Sequence, residues 1–434
     1  MNTNRLTAGL VACGVVISHA GLNVLGQNPI NYLTQDDSWG TSSFHTGGAK
    51  NWTDRLDPHP GADYYVSNGR NMRTPEGGND YTFQGDSLTL ETGGFLGMKG
   101  TGVITVNDLR LGPGGSIHQS LANNTTVRIN GTFTILPAGQ QDRPYFCPVS
   151  SRSIILTGTV VGTGDFSVNM WAEVNGLAPL VMDADMSGFD GSWDVRNEVR
   201  GNFNRPCEVH LSADDNIGST LNTFRPDAVR LINGGGITAN GAVAISAALN
   251  RGITLDDDGT FSTADSGSVL TVGAPVTGTG DLYKRGPGTV VLSGDNTYSG
   301  TTFVHAGTLA VESVNGLGTS ALSFSSGTAL RVKYPCALEH GFFVGGLTPL
   351  TIAGTMTLDI ETLEELPPKF FIPLFFIEEN ANLPLSLTDN IVITGLPPKD
   401  ITIHYTQETI SCKGVKYLAI GLRCYLKGTV IIVK

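Results

Sequence analysis

Residues 278–309 read GTGDLYKRGPGTVVLSGDNTYSGTTFVHAGTL. The order is a Gly-Thr-Gly-Asp opening, an apolar strand at Val290-Val291-Leu292, an Asp-containing turn, an aromatic, a glycine and a further strand. A degenerate copy opens 116 residues earlier with Gly162-Thr163-Gly164-Asp165-Phe166. It continues through Leu180-Val181-Met182-Asp183 to Phe189-Asp190-Gly191-Ser192-Trp193. A repeat too small to bury a face alone must stack on its neighbours, so the pair predicts a solenoid.

Outward from this stretch, the chain keeps the same texture. From about residue 85 it runs as short alternating segments between Gly-rich turns, such as Ser87-Leu88-Thr89-Leu90, Gly102–Val106, Thr125–Ile129 and Gly131–Ile135. Side chains alternating inward and outward over four or five residues mark half-buried strands. Residues 242–250 (AVAISAALN) are the one place where a short helix is expected. Composition agrees: 56 glycines in 434 residues, only 15% charged and 40% hydrophobic. That is too apolar for disorder, and Gly without a strict triplet period excludes collagen. The net charge is −12 with no Lys/Arg cluster, which argues against a nucleic-acid partner.

Residues 278–309 closely resemble the autotransporter-associated β-strand repeat. Gly278, Gly280, Leu282, Lys284, Gly286, Gly288, Thr289, Leu292, Gly294, Asn296, Tyr298, Gly300, Thr302, Ala306, Gly307 and Leu309 fall on its pattern. The resemblance implies an all-β, right-handed parallel β-helix over residues 85–335, sharpest at 278–309. Leu282, Val291, Leu292, Val304 and Leu309 are then expected to face the core. Asn296 suits an inward position where its amide bonds along the stack. With coils about 4.8 Å apart, ten to fourteen of them would make a rod of about 50–70 Å. Residues 51–96, with Trp52, Asp63-Tyr64, Arg73-Thr74-Pro75 and Phe83-Gln84-Gly85-Asp86-Ser87-Leu88, resemble the N-terminal region of large exported bacterial proteins with such repeats. Residues 27–84 are read as an N-terminal cap, which a solenoid needs to shield its core.

The two ends carry the localisation signals. Residues 1–26 hold an apolar stretch after Arg5, with Ser18-His19-Ala20 as a small-x-small cleavage site, and read as a signal peptide. Leu10-Val11-Ala12-Cys13 offers the alternative of a lipid anchor on Cys13. No other stretch approaches the roughly 20 apolar residues of a spanning helix. Residues 336–434, with Pro-rich turns and strands near 391–394 and 417–420, read as a C-terminal β-rich cap. They are too few for an outer-membrane barrel of about a dozen strands, so a separate exporter is expected. Six cysteines (13, 147, 207, 336, 412, 424) form no CxxC pair. Cys412 and Cys424 are spaced for a bridge across a hairpin, against the alternative of scattered buried thiols.

No nucleophile elbow, His-Glu-x-x-His or phosphate loop is present, and eight histidines are dispersed. Asp256-Asp257-Asp258-Gly259 is the densest acidic cluster. It could hold a Ca²⁺ ion, and its commoner meaning is a solvated turn. Asp183, Asp185, Asp190 and Asp194 make a looser set, of which at most two share a face. Trp39, Trp52, Trp171 and Trp193 could stack on sugars, although Trp193 aligns with a core strand. These observations lead us to expect an exported, non-catalytic structural or adhesion-type β-solenoid of the bacterial cell surface or matrix. Its expected partners are surface glycans or other cell-surface proteins, and no catalytic or cofactor-binding residue is assigned. The alternative is a carbohydrate-active β-helix enzyme of the polysaccharide lyase or hydrolase kind. Carboxylates converging with Arg or Lys in one groove would favour that alternative.

Overall fold

A computed structural model describes residues 27–119, 125–148, 153–170, 179–197, 207–334, 342–343, 350–362, 369–377, 391–395, 401–412 and 415–426. These residues build a parallel β-solenoid with almost no helix. Its first sheet has fifteen strands and runs from Ile30–Tyr32 to Leu350–Ile352. A second, nine-stranded sheet runs from Asn71–Arg73 to Val276–Gly278, and a third, seven-stranded sheet from Ala242–Ile245 to Ile391–Thr394. Successive strands in each pair in parallel, because every coil returns the chain to the same face one layer further on.

The second and third sheets overlap only between residues 242 and 278. Coils before that overlap are two-sided and lengthen along the stack: Leu88 pairs with Leu109, a coil of 21 residues, and Val127 with Ile154, a coil of 27. Through it the section is three-sided, with Gly235–Ala239, Ala242–Ile245 and Arg251–Asp256 on successive faces. Beyond it the second sheet is replaced by the Asp295–Gly300 turn, and two coils take 20 residues each, as Leu282 pairs with Thr302 and Thr302 with Leu322, before Leu322 pairs with Leu350. Parallel pairing continues past residue 335, through Met356–Thr362 to Ile391–Thr394. A separate four-stranded sheet contains Phe342–Phe343, Lys369–Ile377, Ile401–Cys412 and Val415–Leu426, the last pairing antiparallel with both longer neighbours.

One apolar column runs up the inside of the first sheet. Val127, Ile154, Leu180, Val209, Ile237 and Phe261 stack in register, and Val304, Phe324 and Ile352 continue the column beyond Lys284. Leu282, Leu292, Val304 and Leu309 are buried as expected. Val291 is buried too (8% exposed), but Val290 and Leu292 take the inward column positions with Leu270 and Leu309, so period-2 alternation sets Val291 on the outward side of the strand. Asn296 is buried, its Oδ1 accepting from Val276 N (2.8 Å) and its Nδ2 donating to the Gly316 carbonyl (2.6 Å), so one amide ties three coils. Residues 242–250 are also corrected. They form the strand Ala242–Ile245 and one 3₁₀ turn, Ala247–Leu249, which a left-handed Asn250 ends.

The repeated Gly-x-Gly-Asp unit builds a corner rather than a particular face. At residues 162–165 it joins the first sheet to the second, and at 278–281 the second to the first. In both copies the next coil's corner sits directly on the second glycine. A Cβ on Gly191 would stand 1.9 Å from the Gly164 carbonyl oxygen, and one on Gly300 2.1 Å from that of Gly280. The motif aspartates do the same work: Asp165 accepts from Ser192 N (2.8 Å) and Asp281 from Thr301 N (2.6 Å). Phe189 and Tyr298, the aromatics of the two copies, are both fully buried.

Candidate functional site

The outer face of the second sheet carries a polar groove of about 530 Å³. Register assembles it. Tyr145, Ser167, Asp194 and Arg230 occupy equivalent outward positions on four successive coils, and Asn169 pairs with Arg196 beside them. Inward partners Phe146, Val168, Val195 and Leu231 bury the opposite side of those strands, which aims the polar column at solvent.

Asp194 is the pivot of this groove. It is almost fully buried, and Arg143 reaches it at 2.6 Å, Arg196 at 3.5 Å and Arg230 at 3.9 Å. Arg143 also holds Asp165 at 2.9 Å, and Arg230 holds Asp256. Three guanidiniums thus meet three carboxylates, and the network carries no net charge. Several buried polar atoms have no hydrogen-bond partner within the described residues: Asn169 Oδ1, Asp194 Oδ1, Arg143 Nε and His118 Nε2. Such atoms cost free energy unless water or a ligand satisfies them. Next to the groove, His118 stacks on Phe95 (4.8 Å, 20°) and lies 5.5 Å from Tyr145. Burial pushes the His118 pKa down to about 4, so this aromatic ladder is uncharged at neutral pH.

Among the described residues, two cations are buried without a carboxylate partner. Lys284 occupies the inward column between Phe261 and Val304, and its Nζ donates to the carbonyls of Gly286 (2.6 Å), Gly288 (2.8 Å) and Ala306 (2.7 Å). Burial pushes its pKa down to about 7. Arg251 donates to the carbonyls of Ser219 (2.7 Å), Gly191 (2.8 Å) and Phe189, and its pKa is pushed down to about 10, again mainly by burial. Arg251 donates to earlier coils, and Lys284 to its own coil and, through Ala306, to the next, so each cation fastens layers together. Neither was singled out in the sequence as a buried group, although parity with Leu282 and Ile253 points each inward.

The acidic residues flagged in the sequence do not gather. Asp256 faces Arg230, Asp257 makes a left-handed corner (φ 71°), and Asp258 opens the next first-sheet strand, accepting from Asp281 N (3.0 Å). Asp256, Asp257 and Asp258 thus form corner structure, and no group of three His, Cys, Asp or Glu that could hold a metal occurs among the described residues. Asp183 and Asp185 share the outside of the first sheet, Asp190 accepts from Ser219 at a corner, and Asp194 lies in the groove. Trp193 and Trp52 are core residues; Trp193 stacks on Phe166 (5.9 Å, 1°). Trp39 is exposed, with Arg73 over its ring. Trp171, the segment 1–26 with Cys13, and Cys336 lie outside the described residues. Cys412 pairs in register with Val415 and Cys424 with Ile403, which sets the two cysteines nine positions apart along the hairpin. That is about 30 Å at strand rise, beyond the reach of a disulfide. Cys147 and Cys207 are buried in the solenoid.

Comparison with known proteins bears on the same coils. A family model described as the passenger-associated-transport repeat matches residues 282–311. Over 144 residues the chain is 31% identical to the adhesin BmaC autotransporter of Brucella suis biovar 1 (strain 1330). That alignment covers 32% of this chain and 4% of the adhesin, so the chain matches a small part of a much larger relative. No solved structure matches. Among the described residues no helix is long and apolar enough to cross a membrane. Alongside its parallel stack of coils, the chain therefore carries a passenger-associated-transport repeat at 282–311 and is similar over part of its length to an autotransporter adhesin.

Proposed function

We propose that this protein is an exported, non-catalytic β-solenoid of the cell surface that works in adhesion. On this reading, the outer face of its second sheet contacts surface glycans or other cell-surface proteins. The observation that carries the reading is the groove around Asp194, a preformed polar surface whose buried donors and acceptors are incompletely satisfied. Likeness to part of an autotransporter adhesin supports export and adhesion together.

The groove does bring carboxylates and arginines together, the mark that would favour a carbohydrate-active enzyme. Of its two lining carboxylates, however, Asp194 is buried against Arg143, and only Asp142 faces solvent. Glycoside hydrolysis requires two carboxyl groups flanking the scissile bond. The test has two arms. Protease treatment of intact cells should remove the protein, and deletion should reduce attachment to glycan-coated surfaces. Recovery of the whole protein from cytosol would overturn the reading. So would release of reducing ends or unsaturated sugars from polysaccharides, if Asp142→Ala abolished it.

A further inference from the structure

We infer that the outer face of the second sheet binds an uncharged oligosaccharide, laid along the solenoid axis from Phe95 to Arg230. This inference rests on the adhesion reading above and names the ligand class and the residues.

Four observations converge. First, Phe95, His118 and Tyr145 form a partly buried aromatic ladder that leads into the groove, with ring spacings of 4.8 and 5.5 Å. Coils repeat at about 4.8 Å, and because Phe95 and His118 stack face to face, the rings offer solvent a strip of apolar edges that leads up to Tyr145 at the groove. Second, the groove beyond Tyr145 is walled by planar hydrogen-bonding groups: Gln140, Gln141, Asn169 and Arg196. Amide and guanidinium groups of this kind match vicinal hydroxyls, each of which both donates and accepts. Third, Asn169 Oδ1 and Arg143 Nε are buried and lack a partner within the described residues, and Arg143 is itself 8% exposed. An unsatisfied acceptor and an unsatisfied donor on residues lining one groove suit hydroxyls better than a purely anionic group, which can only accept.

The fourth observation is charge. Arg143, Arg196 and Arg230 are balanced by Asp165, Asp194 and Asp256. The remaining lining charge is Asp142, on a chain of net charge −12. A uronate or sulfate chain would meet no uncommitted cation and a repulsive field. Electrostatics therefore selects against polyanions, and the apolar ring edges beside a wall of amides select for the mixed apolar and hydroxyl surface of a neutral sugar.

The test is titration calorimetry of the full chain against two panels. One holds neutral hexaoses (gluco-, xylo-, manno- and galacto-configured); the other holds oligogalacturonate and heparin fragments. At least one neutral hexaose is expected to bind, and neither acidic ligand. Tyr145→Ala and Asn169→Ala should each weaken that binding at least tenfold. His305→Ala, just past the first-sheet strand Thr302–Val304, should leave it unchanged. Circular dichroism and Tm establish that each variant is folded; if Tyr145→Ala is not, Gln141→Ala and Arg196→Gln take its place, with several-fold losses expected. Binding of the acidic panel alone, of no glycan, or of neutral glycans with all groove variants unaffected would overturn the inference. Surface protection on intact cells separates the two readings. A surface protein that still mediates attachment after groove substitution leaves the adhesion reading standing and defeats this one. A protein absent from the surface defeats the adhesion reading, whatever the calorimetry shows.

Discussion

Lys284 is the residue at which motif and mechanism of folding coincide. An ammonium in an apolar column is costly unless its donors are met, and three carbonyls meet all three. Gly307 belongs to the same device, since a Cβ there would lie 2.5 Å from Lys284 Nζ. Lys284, Gly286, Gly288, Ala306 and Gly307 of the repeat are therefore one structural unit, a cation closing two coils. Its pKa is lowered from 10.5 to about 7. Between those values the unfolded chain holds a proton that the folded chain does not, so folding stability from this group rises as pH goes from 7 to 10.5. Denaturant titrations of the wild-type chain should show that rise, and Lys284→Met should remove it. The variant should also be less stable at pH 9 by about 2 kcal/mol or more, because buried carbonyls lose their donor. An unchanged slope in Lys284→Met would assign the pH dependence elsewhere.

Among the elements, the Gly-x-Gly-Asp corner carries most of the information. Its second glycine lies beneath the next coil, and its aspartate receives that coil's amide, so the unit measures the distance between layers. This explains why the same four-residue pattern can serve at two different corners. Gly280→Ala would place a methyl group 1.6 Å from the Asp257 carbonyl oxygen, and should cost more than about 4 kcal/mol through backbone displacement. Asp281→Ala should cost about 1–2 kcal/mol for the stranded Thr301 amide, and Asp281→Asn much less, since its amide oxygen still accepts. Thermal unfolding of the three variants tests that order; equal losses would mean that crowding, not the hydrogen bond, sets the corner. The first, degenerate copy was readable as a repeat because these same groups survive in it. Its use at the other corner was not readable, since a turn motif does not state which sheet it leaves.

At the scale of the whole molecule, each coil touches its neighbours in the stack, so stability is a sum of local interfaces. Trp193 lies in one such interface, stacked on Phe166 and donating from Nε1 to the Ile217 carbonyl (3.1 Å). Trp193→Ala should cost about 3–5 kcal/mol. Hydrogen exchange should quicken in the strands Phe166–Met170 and Arg225–Ile232 and remain slow in Val103–Leu111, whereas a uniform loss of protection would indicate one cooperative unit. The groove has the same modular origin, since Arg143, Asp194 and Arg230 are far apart in the chain and become neighbours only because successive coils stack in register. By itself the sequence determined that the chain coils, where its sharpest coil lies, and that its strands alternate between core and solvent, because glycine spacing and side-chain parity are local properties. Only the tertiary structure decided the change from two-sided to three-sided coils, the outward turn of Val291, the cations buried in the core and the groove around Asp194. Each of these depends on which residues of separate coils come into register, and register is set by corner geometry and coil length summed over the whole stack.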